Sequence, residues 1–331
     1  NFTGEYVGQD IQPDFVWIKN TDTNGKDHGL WDSSRGTLKQ VNTNNTQAEN
    51  NTANSLTAFN SDGFSLGSDG GPNANNGTHV AWQWKANGGT TSSNSDGDIT
   101  STIQANTTAG FSIVTYAGNG TSNQTVAHGL GATPDYLLWK NYDTDTSGWD
   151  WKTWHTGLTG TNYVRINQTG AQASSNGDID ALPGSTLFTV GNNGSTNGQS
   201  GQNHTIICYA FTSIKGYSKF GNYVGTADDD GPIIYTGFKP AWVMIKNISS
   251  TANWHMYDNK RDATNVVETA IQANTNAAEF TTNNKLDFLS NGFKIRAANE
   301  VSTNKSGDTY IYMAFAESPF VSSKGVPTTA R

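Results

Sequence analysis

Apolar residues in this chain come in short runs, and the residues between them are mostly Gly, Asn, Ser, Thr and Pro. Short apolar runs bounded by turn-formers predict β-strands, and their close spacing predicts an all-β sandwich or barrel. Phe15-Val16-Trp17-Ile18 is apolar at four successive positions. A strand with one wet face alternates, so this one needs cover on both faces. A loop, a short helix or a neighbouring chain could supply it. Lys19-Asn20 then marks the exit to solvent. Helix signals are confined to Asn45-Thr46-Gln47-Ala48-Glu49 and to residues 274–279, each a turn or two behind an Asn or Thr cap.

The doubly apolar phrase occurs three times. Pro13-Asp14-Phe15-Val16-Trp17-Ile18-Lys19-Asn20 returns as Pro134-Asp135-Tyr136-Leu137-Leu138-Trp139-Lys140-Asn141 and as Pro240-Ala241-Trp242-Val243-Met244-Ile245-Lys246-Asn247. The starts at 13, 134 and 240 lie 121 and 106 residues apart, which is the length of a small domain rather than of a solenoid unit. Ser61-Asp62-Gly63-Phe64 matches Ser290-Asn291-Gly292-Phe293, with a degenerate version at Pro183 to Phe188. Each copy closes on an apolar run, 78–84, 205–211 and 309–315, which places Trp84, Phe211 and Phe315 in one register. The expectation is a tandem array of small antiparallel β-sandwich domains, jelly-roll or lectin-like. Its repeats span 1–88 (incomplete at its N-terminus), 99–214 and 220–331, with polar linkers near 85–98 and 213–222. Trp84, Phe211 and Phe315 belong in the core of each domain, and Trp17, Leu138 and Met244 are buried. Copy one lacks the lead-in strand that copy two has at Gly110 to Tyr116, so the expectation is an upstream segment that was removed or left out.

Composition narrows the function. The 331 residues are 34% hydrophobic, 15% charged and 11% aromatic, with 36 Gly and 8 Pro. The aromatics gather in strand-like runs, which argues against disorder. A net charge of −8 without a basic cluster argues against nucleic acid. No apolar stretch reaches spanning length, so no membrane insertion is expected. The one cysteine, Cys208, lies inside a strand and reads as a small buried residue, so the fold needs no oxidising compartment. No signal peptide is visible.

Several phrases carry a family resemblance. Phe15 to Asn20, Ser61 to Ser68, Val80 to Ala86, Ala109 to Tyr116 and His128-Gly129-Leu130-Gly131 resemble a repetitive family of bacteriophage virion proteins, frequent in marine phages. Tyr310 to Glu317 with Pro319-Phe320-Val321 is similar to that family's C-terminus. The resemblance covers nearly the whole chain. It implies a virion or tail-fibre-associated component, assembled in the host cytoplasm and exposed on the particle, and it supplies no catalytic residues.

Two stretches suggest chemistry. Asp143, Asp145, Ser147 and Asp150, with Gly148 at the sixth position, resemble the start of a calcium loop. The twelfth position is Trp154 where that pattern has Glu, and an Asp- and Ser-rich hairpin turn is the favoured account of these residues. Trp149-Asp150-Trp151-Lys152-Thr153-Trp154-His155 could lay Trp149 and Trp151 on one strand face as a sugar-stacking platform, with Trp154 and His155 beside it. Core or interdomain packing is the alternative. Asp32-Ser33-Ser34-Arg35 and Asp258-Asn259-Lys260-Arg261 share a spacing that predicts an ion pair. No phosphate loop, paired-His zinc motif, Cys-x-x-Cys or nucleophile elbow is present. Glu279, Asp287 and Glu300 are the carboxylates a glycoside hydrolase would draw on.

The expected function is a non-enzymatic virion structural protein, a tail-fibre adhesin or capsid-surface component that contacts a host-surface glycan. It has no cofactor beyond a possible calcium ion. The alternatives are a free carbohydrate-binding module array and a fibre-borne polysaccharide depolymerase. Strands apolar on both faces in a polar chain also predict a homo-oligomer, a trimer if it belongs to a fibre.

Overall fold

The computed structural model describes residues 11–143, 148–199, 201 and 203–316. Among these the structure is almost all β, in several antiparallel sheets. The single helix described is the four-residue turn Gly194–Asn197. One strand trio recurs. Phe15–Asn20 pairs with Gly29–Asp32 on one side and with His79–Trp84 on the other. Tyr136–Asn141 sits in the same way between Lys152–His155 and His204–Phe211. Pro240–Asn247 sits between His255–Asp258 and Thr309–Ala316. The registers coincide: Phe15 faces Trp84, Tyr136 faces Phe211 and Trp242 faces Phe315.

The doubly apolar phrase is explained by what lies on each side. Phe15, Trp17, Tyr136, Leu138, Trp242 and Met244 turn to one cluster common to the three segments. Their alternates turn outward, to separate clusters: Val16 and Ile18 with Trp31 and Leu56, Leu137 and Trp139 with Phe188 and Val190, Val243 and Ile245 with Phe293 and Ile295. Cover on both faces thus comes from within the chain. Trp17, Leu138 and Met244 are buried as expected. Trp84, Phe211 and Phe315 are buried too, but in the common cluster rather than one per segment. Their rings form a triangle of edge-on contacts: 6.2 Å from Trp84 to Phe211, 5.5 Å from Trp84 to Phe315 and 6.0 Å from Phe211 to Phe315.

The segments are bonded head to tail. Backbone N–H groups of Glu49, Gln172 and Glu279 donate to the carbonyls of Tyr142, Ile248 and Thr21, at 2.9, 3.0 and 2.9 Å. Each acceptor is the residue just after a first strand, so the first segment is joined to the second, the second to the third and the third to the first. A second set keeps the same order. Trp151 Nε1 donates to Asn42 O at 2.8 Å and Trp254 Nε1 to Arg165 O at 2.9 Å. His28 accepts at Nδ1 from Trp17, so its Nε2 carries the proton and donates to Gln272 O at 3.1 Å.

Four sequence expectations need correction. Residues 45–49 and 274–279 are not helical; the amides that end them, on Glu49 and Glu279, are drawn across the seams to Tyr142 and Thr21. Lys19 and its counterparts Lys140 and Lys246 do not exit to solvent; all three are fully buried. Lys140 Nζ donates to Thr46 O and Trp149 O, and Lys246 Nζ to Thr169 O, Asn247 O and Ala252 O. The polar stretch 85–98 is no loose tether: Asp14 takes the amides of Ala86, Gly88 and Gly89, and residues Ser92–Asn94 form a strand. The stretch 213–222 likewise runs into the strand Ser218–Val224.

Candidate functional site

In the first segment a cleft of about 310 Å³ opens on the outward side of the strand trio. Its volume is at the lower end of the roughly 300–1,000 Å³ that small-molecule sites occupy. Ile18, Gly29 and Trp31 come to it from the sheet. Gln40 and Asn50 come from the paired strands Lys39–Gln40 and Asn50–Asn51. Lys26, Asp27 and Asp69 reach it from loops. Gly29 is required there, since a Cβ would stand 2.2 Å from the Trp31 ring. Trp31 is fully buried, and its indole N–H has no acceptor among the described residues. Asp27 is fixed by Asn44 Nδ2 at 2.6 Å and Asn45 Nδ2 at 3.2 Å.

The residues singled out from sequence lie elsewhere and are drawn inward. Trp149 and Trp151 precede the strand Lys152–His155 instead of sharing one face of it. Trp149 is half-buried against Gly194, and its carbonyl accepts from Lys140. Trp151 is fully buried at a seam, and Trp154 is buried with its N–H on Gly160 O. Neither offers a face on which a sugar could stack. His155 is buried; Nδ1 accepts from Gly157 N and Nε2 donates to Tyr312 O at 3.0 Å. Burial pushes its pKa down to about 4.

Of the calcium set, Asp145 and Ser147 lie outside the described residues. Asp143 accepts from Thr205 N at 3.1 Å. Asp150 accepts from Asn167 Nδ2 and Gln168 Nε2, both at 2.8 Å, and lies 2.9 Å from Arg165 Nε. Among the described residues no three His, Cys, Asp or Glu side chains gather as a metal would need.

One family model, described as Domain of unknown function (DUF7483), matches residues 2–319. The chain belongs to this family. No curated protein and no solved structure matches it.

The remaining buried charges of this DUF7483 chain are paired, mostly within a segment and in one case across two. Arg35 Nε meets Asp32 at 2.6 Å and its Nη1 meets Glu49 at 2.9 Å, while Tyr209 of the second segment donates to Asp32 at 2.8 Å. Burial and the Asp32 carboxylate together push the Tyr209 hydroxyl well above its ordinary value. Arg261 repeats the pairing with Asp258 at 2.7 Å and Glu279 at 3.5 Å. The expected Asp-x-x-Arg ion pairs therefore form, and they occupy Glu279, one of the three carboxylates considered for hydrolysis. Burial holds Lys19 and Lys140 down to about 8 and Lys246 to about 7. No sequence motif marks the cleft; Gly29, Gln40 and Asn50 stand out only when the three segments are aligned by strand register.

Proposed function

We propose that this DUF7483 chain is a non-enzymatic virion protein, a tail-fibre or capsid-surface component. On this reading three copies of a small β-sandwich close into a pseudo-threefold ring that contacts a host-surface glycan. The observation that carries the proposal is the cyclic seam: Glu49 to Tyr142, Gln172 to Ile248 and Glu279 to Thr21. A ring that closes on itself spends its interior on rigidity and leaves its outer faces for contact. That division suits a particle exterior better than catalysis, and the resemblance of Phe15 to Asn20 and Tyr310 to Glu317 to phage virion proteins points the same way. Buried histidines and lysines that sit at the seams, where an enzyme would expose them, add support. Calcium is no part of this reading, since Asp150 is committed to Arg165, Asn167 and Gln168. Mass spectrometry of gradient-purified particles, with immunogold labelling of intact ones, tests it. The chain is expected at fixed copy number on the surface; its absence from particles would reject the reading.

A further inference from the structure

The first segment differs from the other two at three places that strand register brings together. Gly29 faces Ile18 across the sheet as Lys152 faces Trp139 and His255 faces Ile245. Gln40 precedes Val41, whose partner is Leu30; the corresponding bridge from Thr153 to Val164 puts Tyr163 in that place, and the pairing of Met256 with Ile271 puts Ala270 there. Asn50 pairs with Gln40 as Ala173 pairs with Tyr163 and Phe280 with Ala270.

In the second segment these positions are filled by packing. Lys152 is buried against Asp178 at 2.9 Å, with its ammonium 3.9 Å from the centre of the Tyr163 ring. In the third segment His255 stacks on Tyr257 and meets Phe280 edge-on at 6.0 Å. The first segment has a glycine and two amides instead, and the space becomes the cleft of about 310 Å³. The aromatic beneath it differs in the same sense. Trp154 donates to Gly160 O and Tyr257 to Asn284 O, whereas the equivalent Trp31 N–H is without an acceptor. Among the described residues Trp82, Trp149 and Trp242 also carry unpaired indole N–H groups, but Trp31 is the one that lines the cleft. A buried donor left unpaired costs free energy.

We propose that the cleft binds a neutral polyhydroxylated ligand, one sugar residue of a glycan. The amide residues Gln40, Asn42, Gln47 and Asn50 line it together with Thr52. Amides present donors and acceptors side by side, which matches vicinal hydroxyls. One lysine against two aspartates, Lys26 with Asp27 and Asp69, leaves no excess positive charge for an anion. The site deepens the attachment reading by naming a ligand class, yet its test does not depend on finding the chain in a particle.

The full chain is titrated by calorimetry and ligand-observed NMR with glucose, galactose, mannose and N-acetylglucosamine, with glucuronate and inorganic phosphate as charged probes. At least one neutral sugar is expected to bind at one site per chain. Asn50→Phe and Gln40→Tyr, which install the residues of the third and second segments, should each abolish binding while the circular dichroism spectrum and thermal midpoint are kept. The proposal is overturned if no neutral sugar binds, if charged probes bind instead, if three sites titrate, or if binding survives both filling variants in folded protein. None of these failures would move the chain out of the virion.

Discussion

The backbone N–H of Glu279 donates to the carbonyl of Thr21 at 2.9 Å, bonding the third segment to the first. With the equivalent bonds at Glu49 and Gln172, this leaves no segment with a free inner face. The inner face of each strand trio is buried against the other two, so an excised segment would expose it. Residues 99–214 expressed alone should therefore fail to give a cooperative thermal transition and should bind a hydrophobic dye, whereas the full chain melts once. A sharp, reversible melt of the isolated segment would show that its own core suffices.

Trp17 is 3% exposed, inside the common cluster, and donates its N–H to His28 at 2.9 Å. Trp17→Ala should cost about 3–5 kcal/mol in urea denaturation, as large aromatic truncations in cores do. A loss below about 1 kcal/mol would mean that the neighbouring segments collapse into the space.

Asp14 accepts from Ala86 N, Gly88 N, Gly89 N and Ser33 Oγ. Asp14→Ala leaves the Ala86 and Gly88 amides without their acceptor and should cost about 2–4 kcal/mol. Residues 85–98 should also become the first site of proteolytic cleavage. The wild-type chain should resist cutting there; equal cleavage of both proteins would show that the carboxylate does not hold this stretch.

Burial holds His28 down to about 3 and His128, His155 and His255 to about 4, against an ordinary 6.5. Unfolded, each takes up a proton as pH falls through 6.5; folded, each stays neutral. The unfolded state then binds more protons, so stability should fall as pH drops from about 6.5 to about 5, and the thermal midpoint with it. The buried lysines act in another window. Their folded values of about 7 to 8 lie below the ordinary 10.5, so stability should rise from about pH 7 to about pH 9. A midpoint independent of pH across both windows would contradict the burial of these groups.

The apolar strand faces that suggested an oligomer are covered from within the chain. Light scattering should accordingly give the single-chain mass of 35.5 kDa. A trimer in solution would contradict this expectation.

Much of this architecture is legible in the sequence, up to a definite point. The apolar run Phe15-Val16-Trp17-Ile18 announces a strand buried on both faces, and it is one. Cys208 reads as a buried apolar residue, and it is fully buried. Periodicity tells which faces are covered but not by what. It could not say that Trp84, Phe211 and Phe315 meet one another, because that contact joins residues more than a hundred positions apart. The same gap explains the tryptophans at 149–154. Their density suggested a platform, yet Trp151 is drawn inward by Asn42, a residue of another segment. The cleft was illegible for a different reason: glycine and amides in a polar chain give no signal until register places them beside Lys152, Tyr163 and Phe280.

The acceptors of the second set of seam bonds, on Asn42, Arg165 and Gln272, are all main-chain carbonyls, and the donors that meet them are two tryptophans and a histidine. A main-chain acceptor survives replacement of the side chain it carries. Because the three positions lie in one polypeptide, each can also drift alone. An assembly of identical chains must accept every substitution three times over, in three surroundings at once; this chain accepts it once. Gly29, Gln40 and Asn50 could thus hollow out one lobe while Lys152 and His255 kept the other two solid, a specialisation that strict symmetry forbids.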